Sequence, residues 1–213
     1  MEQDEIKFIE HSDGVHDVIV DLLNSLSTVK GLSELDCQIS DEEALIAHAL
    51  SILIQNQDME RCSFFLLQDN GCLVNVTGLS CEEYVESRSM QYQPLRFRVG
   101  EGIIGLAAKT RELQHCRDCR TDPRFEQLSQ RSELLPGSII SVPVMVAETE
   151  LVGVLNISHP EADYFNDWHI RLLHIYKNML GQLITNCRLF QQMEKRSPVA
   201  PQSCSRRCRM SNT

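Results

Sequence analysis

The 213-residue sequence predicts an α+β fold in which antiparallel strand pairs lie between long N- and C-terminal helices. Three observations predict it. Apolar residues recur at helical spacing near both ends of the chain. The β-rich runs between them come in pairs joined by short turns, as antiparallel neighbours do. The chain's GxGxxG stretch has no βαβ unit before it, so the surrounding strands read as meander pairs rather than as a dinucleotide fold.

The elements follow in order. Residues 1–12 read as frayed. Val15, Val18, Ile19, Leu22, Leu23, Leu26 and Val29 mark a first helix over 15–29, with Gly31 as its stop. Ser40 opens a second helix, and Glu43 three residues on completes a capping box. Its apolar residues, Ala44 to Ile54, lie nearly all round, which predicts deep burial. Strands over 62–67 and 72–77 flank Asp69-Asn70-Gly71, a hairpin turn. A short strand covers 95–99, a short helix 102–110 and a brief strand 112–117. Residues 124–133 read as helical, and 138–147 and 151–159 as paired strands. The last helix runs from about 166 to 195, with Leu173, Tyr176, Leu180, Leu183, Cys187 and Phe190 stepping as a heptad seam.

Composition narrows the function classes. Apolar residues make up 42% and charged residues 23%, an ordinary globular balance, and the formal charge is −10. An acidic surface argues against nucleic acid, whose phosphates call for a basic stripe. No apolar run reaches the roughly 18 residues of a membrane span. The N-terminus lacks the basic and apolar regions of a signal peptide, which points to the cytoplasm, where the nine cysteines stay reduced. Cys62, Cys72 and Cys187 read as buried small hydrophobes. Residues 197–213 hold prolines, serines and arginines but no acid, the composition of a disordered tail.

Several motifs fall in one order: Val99-Gly100-Glu101-Gly102-Ile103-Ile104-Gly105, Asp118, Asp122-Pro123-Arg124-Phe125, Ser141-Val142-Pro143-Val144, Gly153-Val154-Leu155-Asn156, and Phe165. The set resembles a GAF domain, a relative of PAS sensors, over about residues 40–190. That divides the chain into a helical extension (1–39), a GAF domain with its signalling helix (40–196) and a tail (197–213). The resemblance implies a central antiparallel sheet with helices on one side and a ligand pocket on the other, roofed by about 102–135. It places Ile104, Asp118, Phe125, Leu128 and Ser141 at that pocket. The glycines and the DPRF turn also have plain structural duties: a tight turn, a fixed φ and a cap from Asp122.

The stretch His115-Cys116-Arg117-Asp118-Cys119 admits three readings: packing, a redox pair or a metal clamp. A structural zinc site wants four ligands and this stretch offers three, with neighbours pointing to opposite faces of a strand. Cys204 and Cys208 lie on the tail. Packing in place of aliphatic residues is the expectation, and no metal is expected. Redox-sensitive thiols are the alternative, with Arg117 and Arg120 supplying positive charge.

The functional expectation is a sensory module, not an enzyme, that binds a small molecule or partner. It would signal through a homodimer of the 15–29 and 166–195 helices to an output domain. GGDEF diguanylate cyclase and histidine kinase outputs are the ones the resemblance suggests. No such domain follows residue 196, so the chain reads as a fragment, a truncated product or a sensor acting on a separate partner. The GAF branch that reduces free methionine sulfoxide carries cysteine in the GxGxxG turn, where Ile103 and Ile104 stand here. Bilin-type attachment lacks a cysteine in 124–135. The cyclic-nucleotide pattern keeps Asn156 and Phe165 but has Ile157 in place of its lysine. Haem would have His115 or Cys116 as its axial candidates. The ligand, and any cofactor, is not legible.

Overall fold

The computed structural model describes residues 2–35, 41–57, 59–80, 95–125, 136–147 and 149–196. Its strands are β1 (Arg61–Leu67), β2 (Cys72–Ser80), β3 (Arg96–Arg98), β4 (Gln114–Cys116), β5 (Ser138–Val146) and β6 (Glu150–His159). They form one curled antiparallel sheet in the order β3-β2-β1-β6-β5-β4. The helices are α1 (Glu2–Ser33), α2 (Glu42–Asn56), α3 (Gly102–Thr110) and α4 (Asp167–Arg196).

Alternation along the strands sends residues to two different cores. Phe64, Ile140, Val142, Val144, Leu155 and Ile157 face α2 and α4, where they meet Leu45, Leu50, Leu53, Leu173, Tyr176 and Leu180. Their alternating neighbours face α3, in two smaller clusters described below. The main core therefore lies between the sheet and the long helices, and the candidate site lies on the opposite face.

The cap of α2 is Asp41, one residue later than expected: its side chain accepts a hydrogen bond from Glu43 N at 3.1 Å. Ser40 lies outside the described residues. Glu42 and Glu43 in the first turn suit the positive end of the helix dipole. Leu45, Ile46, Ala49, Leu50 and Leu53 are buried along one stripe, whereas Ala44 is exposed and Ala47, Ile52 and Ile54 are half-buried, so α2 is buried on one side and not all round as expected.

Two expectations for the terminal helices are corrected. First, α1 starts at Glu2 and passes through Gly31 to Ser33, so Gly31 is not a stop. It is a contact point: an added Cβ would lie 2.8 Å from Ile52 Cγ2 on α2. Second, the heptad seam of α4 is used inside the domain. Leu173, Tyr176, Leu180 and Cys187 are buried in the main core, and Leu183 packs against it. The sheet face takes the stripe as far as Cys187, and Phe190 is half-buried beyond it.

Two features fix α4 to the body. Gly181 lets the helix touch β5 directly, since a Cβ there would sit 2.1 Å from Met145 O, beside the irregularity between Val144 and Met145. Seven residues on, Arg188 grips Glu42 with two bonds of 2.9 Å, and its third nitrogen reaches Glu150 at 3.0 Å. The fork ties α4 to the start of α2 and the start of β6, with the planar geometry that suits arginine to carboxylates.

α1 packs differently. Trp168 Nε1 on α4 donates to Asp21 O at 3.3 Å and to Ser25 Oγ at 3.0 Å. Gln57 Nε2, just past α2, donates to Thr28 Oγ1 at 3.1 Å. The side of α1 turned toward its own domain is polar over these turns. Val18, Ile19, Leu22, Leu23 and Leu26 are 44–58% exposed on the other side.

Candidate functional site

The face of the sheet away from α2 and α4 is covered in part by α3, which the GxGxxG turn delivers. Gly100 and Gly102 have φ of 94° and 59°, which glycine reaches without strain. Gly100 N donates to Gly105 O at 2.7 Å, closing the turn. A Cβ on Gly105 would lie 2.2 Å from Arg98 O, so only glycine lets α3 sit this close to β3. These glycines serve backbone packing.

Two apolar clusters lie under this cover. Ile104 joins Phe65, Leu73, Ala107, Ala108 and Val154 in one, with Phe97 edge-on to Phe65. Ile103, Cys116, Cys119 and Ile139 form the other, with Phe125 packed against it. The register sets a polar row on the same face. Gly78 pairs with Ser63, Ser63 with Asn156, Asn156 with Ser141, and Ser141 with Gln114. Directly paired residues share a face, so the row crosses five strands. Ser158 and Arg61 pair with each other one step along.

The row is ordered by its own hydrogen bonds. Ser141 is fully buried, and its Oγ donates to Asn156 Oδ1 at 2.8 Å. That bond fixes the amide, leaving Nδ2 as a donor. Ser63 Oγ donates to Asn156 O at 3.5 Å. Arg61 adds a cation, loosely paired with Glu60 at 3.5 Å. Gln114 Nε2 donates to Thr110 Oγ1 at 3.1 Å, so the row offers one donor, Asn156 Nδ2, and the Arg61 cation, which suit an acceptor-rich molecule.

The expected pocket residues are thus distributed. Ile104 and Phe125 sit in separate clusters, and Ser141 lies in the row. Asp118 ties its own loop: Oδ1 accepts from Arg120 N at 2.9 Å, and its carbonyl accepts from Asp122 N at 3.0 Å. Leu128 and the helix expected over 124–133 lie largely outside the described residues. Asp122 holds Arg124 at 2.6 Å, and Arg124 reaches on to His115 O at 2.9 Å and Gln114 Oε1 at 3.2 Å. The Arg124 guanidinium keeps the Asp122 carboxyl at about 2, below its ordinary value. The DPRF turn therefore braces β4. Ser63, Ser158, Gln114 and Arg61 were not anticipated as site residues, and Asn156 entered only through the cyclic-nucleotide pattern, because pairing register is what brings them together. A shallow depression of about 480 Å³ at the β1–β2 turn is lined by Leu66 to Asn70. That lining is one stretch of chain, without side chains converging from different elements.

The Cys-x-x-Cys stretch splits across the sheet. His115 turns to the helix side, with its ring 6.3 Å from that of Phe165, while Cys116 turns to the α3 side. The imidazole and the thiols therefore do not converge, and the described residues hold no group of three or more His, Cys, Asp or Glu suited to a metal. Cys116 Sγ lies 3.4 Å from Cys119 Sγ, and both thiols are free and buried. Burial pushes both thiols up from their ordinary value, which keeps them protonated and slow as nucleophiles. Cys62 and Cys187 are buried as expected, whereas Cys72 is partly exposed.

A curled antiparallel sheet with long helices on one face, and α3 with a polar row on the other, defines a sensory module of the PAS-like kind. The family model for the GAF domain matches residues 40–184, and the chain belongs to that family of sensory and regulatory domains. The chain is 30% identical over 168 residues to a Nif-specific regulatory protein of Herbaspirillum seropedicae. The match covers 75% of this chain and spans 29% of the length of that relative. Among solved structures, it is similar to a GAF sensor protein from Burkholderia vietnamiensis, with a TM-score of 0.61 and 20% identity, over 80% of this chain and 98% of that one. It is also similar to a free methionine-R-sulfoxide reductase from Neisseria meningitidis, with a TM-score of 0.66 and 18% identity, over 80% of this chain and 93% of that one. That last likeness corrects the expectation that the chain is not an enzyme. Several free methionine-R-sulfoxide reductases share its architecture, so a GAF fold is no ground for excluding catalysis. Among the described residues, no helix is long and apolar enough to cross a membrane.

Proposed function

We propose that this chain is a cytoplasmic regulatory input domain that binds a small, acceptor-rich molecule on the α3 face of its sheet. Binding would be passed through α4 to an output domain. The observation that carries the reading is the polar row Ser63–Asn156–Ser141–Gln114, set between two apolar clusters. Ser63, Ser141 and Gln114 already pair inside the domain, so the Asn156 amide nitrogen and Arg61 are the groups of the row offered to a ligand. Here the Ser141 bond occupies Asn156 Oδ1 and leaves Nδ2 to donate, and Arg61 stands one step along. Similarity to a Nif-specific regulatory protein supports a regulator of that type as the source of the output. Diguanylate cyclase and histidine kinase outputs are the other attachments that the GAF resemblance suggests.

Native mass spectrometry of protein purified from its own host tests the reading. The expected result is a bound small molecule that Asn156→Leu and Arg61→Ala each release while the fold is retained. Unmodified protein that carries no ligand, or variants that keep it, would overturn the placement.

A further inference from the structure

The polar row leaves the pair Cys116 and Cys119 unused. Cys116 ends β4 with no exposed surface, and Cys119 keeps 5%. Both are free, and the Cys116 S–H donates to Cys119 Sγ at 3.4 Å. A disulfide holds its sulfurs about 2.05 Å apart, so about 1.4 Å of closure turns this contact into a bond. Only Arg117 and Asp118 separate the two residues, so the turn between them takes up that closure. Two aliphatic residues would fill the cluster of Ile103, Ile139 and Phe125 as well, but could not make the bond.

The same turn holds the lead into α4. Arg117 O accepts from Asp163 N at 2.6 Å, and Arg117 Nη1 donates to Asp163 Oδ1 at 2.7 Å. Asp163 has a φ of 56°, a left-handed backbone that a residue other than glycine keeps only where its surroundings hold it. Two residues on, Phe165 is buried in the main core, and α4 begins at Asp167. On its other side the turn hangs from the sheet: Cys119 N donates to Gly137 O, and Gly137 N to His159 O, both at 2.8 Å. Cys116 is fixed in the β4–β5 ladder, so Cys119 and the turn move when the sulfurs close. Asp163, bonded twice to Arg117, moves with them.

We propose that Cys116 and Cys119 are a reversible oxidation site for hydroperoxides, and that closing their disulfide displaces the start of α4. Cys119 reacts first, because it keeps some exposure. Its sulfur gives up its proton and attacks the O–O bond of the peroxide. That bond breaks: one oxygen stays on sulfur as a sulfenic acid, and the other leaves with the proton as water or an alcohol. Cys116 Sγ then attacks Cys119 Sγ, the S–O bond breaks, and its oxygen leaves as water with the Cys116 proton. Two thiols and one hydrogen peroxide thus give one disulfide and two waters, with two electrons passing from sulfur to oxygen. A small dithiol returns the pair to thiols and takes up the disulfide itself. Burial keeps both thiols protonated, so the site answers sustained oxidation rather than a brief pulse. The small molecule proposed above is not required, and the two readings share only α4.

Trp168 reports the displacement. It is the chain's one tryptophan, it lies in the first turn of α4, and its Nε1 is bonded to Asp21 O and Ser25 Oγ. The full chain is treated with hydrogen peroxide, its remaining thiols are blocked, and it is cut with trypsin. Cleavage after Arg117 leaves a linked pair as two peptides joined by a disulfide. The expected result is that species together with a shift in Trp168 emission, both reversed by dithiothreitol. Cys119→Ser should show neither, and if it does not fold, Cys119→Ala reads the same bond. Cys72→Ser, at a partly exposed thiol elsewhere, should keep both. Three results would overturn the inference: sulfurs that stay unlinked in excess peroxide, a linked pair with unchanged emission, or a shift that persists in Cys119→Ser or after the reductant.

Discussion

α1 and α4 are both about 30 residues long, carry apolar heptads and lie beside each other, yet they use their stripes in opposite directions. α4 turns Leu173, Tyr176 and Leu180 into the main core. α1 turns Ser25 and Thr28 inward, and Leu22 and Leu26 outward. The difference teaches that periodicity identifies a helix with a face, while its partners decide which way the face looks. α4 meets a sheet surface of Val, Ile and Leu. α1 instead meets a tryptophan N–H and a glutamine amide, and these call for oxygen atoms.

Paired substitutions put this contrast under strain. The largest effect is expected at the stripes themselves. Leu180→Ala should cost about 3–4 kcal/mol, the transfer and cavity cost of a buried leucine. Leu22→Ala should stay within about 0.5 kcal/mol in the monomer, as at a surface position. Urea unfolding of dilute protein checks both, and equal losses would erase the distinction drawn between the helices.

The glycines come next. Gly181→Ala forces a methyl into Met145 O, a backbone atom that cannot step aside, and should cost about 1–3 kcal/mol. Gly31→Ala meets the side chain of Ile52 instead, and gains about 1 kcal/mol of helix propensity in return. It should fall near zero. Melting temperatures of the two variants decide the matter, and a tolerated Gly181→Ala would mean that α4 and β5 can part.

The smallest pair tests the polar atoms. Tyr176 is wholly buried and its hydroxyl has no hydrogen-bond partner among the described residues, so Tyr176→Phe should be neutral or stabilising by up to about 1 kcal/mol. Ser25→Ala removes an acceptor for Trp168 and should cost about 0.5–1 kcal/mol. Denaturant midpoints with opposite signs sharpen the comparison, whereas a destabilised Tyr176→Phe would show that its hydroxyl is satisfied.

Much of the fold was legible because it is local. The hairpin at Asp69-Asn70-Gly71, the turn at Gly100–Gly105 and the run of α2 are each written in a few adjacent residues. The Asp41 cap and the N-terminal extension of α1 were displaced because helix ends depend on which of several suitable residues the chain selects. The candidate site was mostly illegible. Ser63 and Asn156 lie 93 positions apart and meet only through register, and a one-residue slip would send either to the other face. Ser141 was reached through its motif, whereas Arg61 and Gln114 look like ordinary strand-end residues in one dimension.

The glycine contact between α4 and β5 also has a mechanical reading. A helix that touches a strand backbone at Gly181 has a fulcrum there, with the Arg188 tether a short way along the arm. From Gly181 to Arg196 the arm is about 22 Å long, so a tilt of about 5° at the fulcrum moves its tip by about 2 Å. The strand beneath the fulcrum is the one that carries Ser141, four residues from Met145 and facing the other side of the sheet. Load applied at one point of β5 thus reaches the pivot along a single covalent strand. The stiff backbone, more than any chain of side chains, then sets the mechanical advantage.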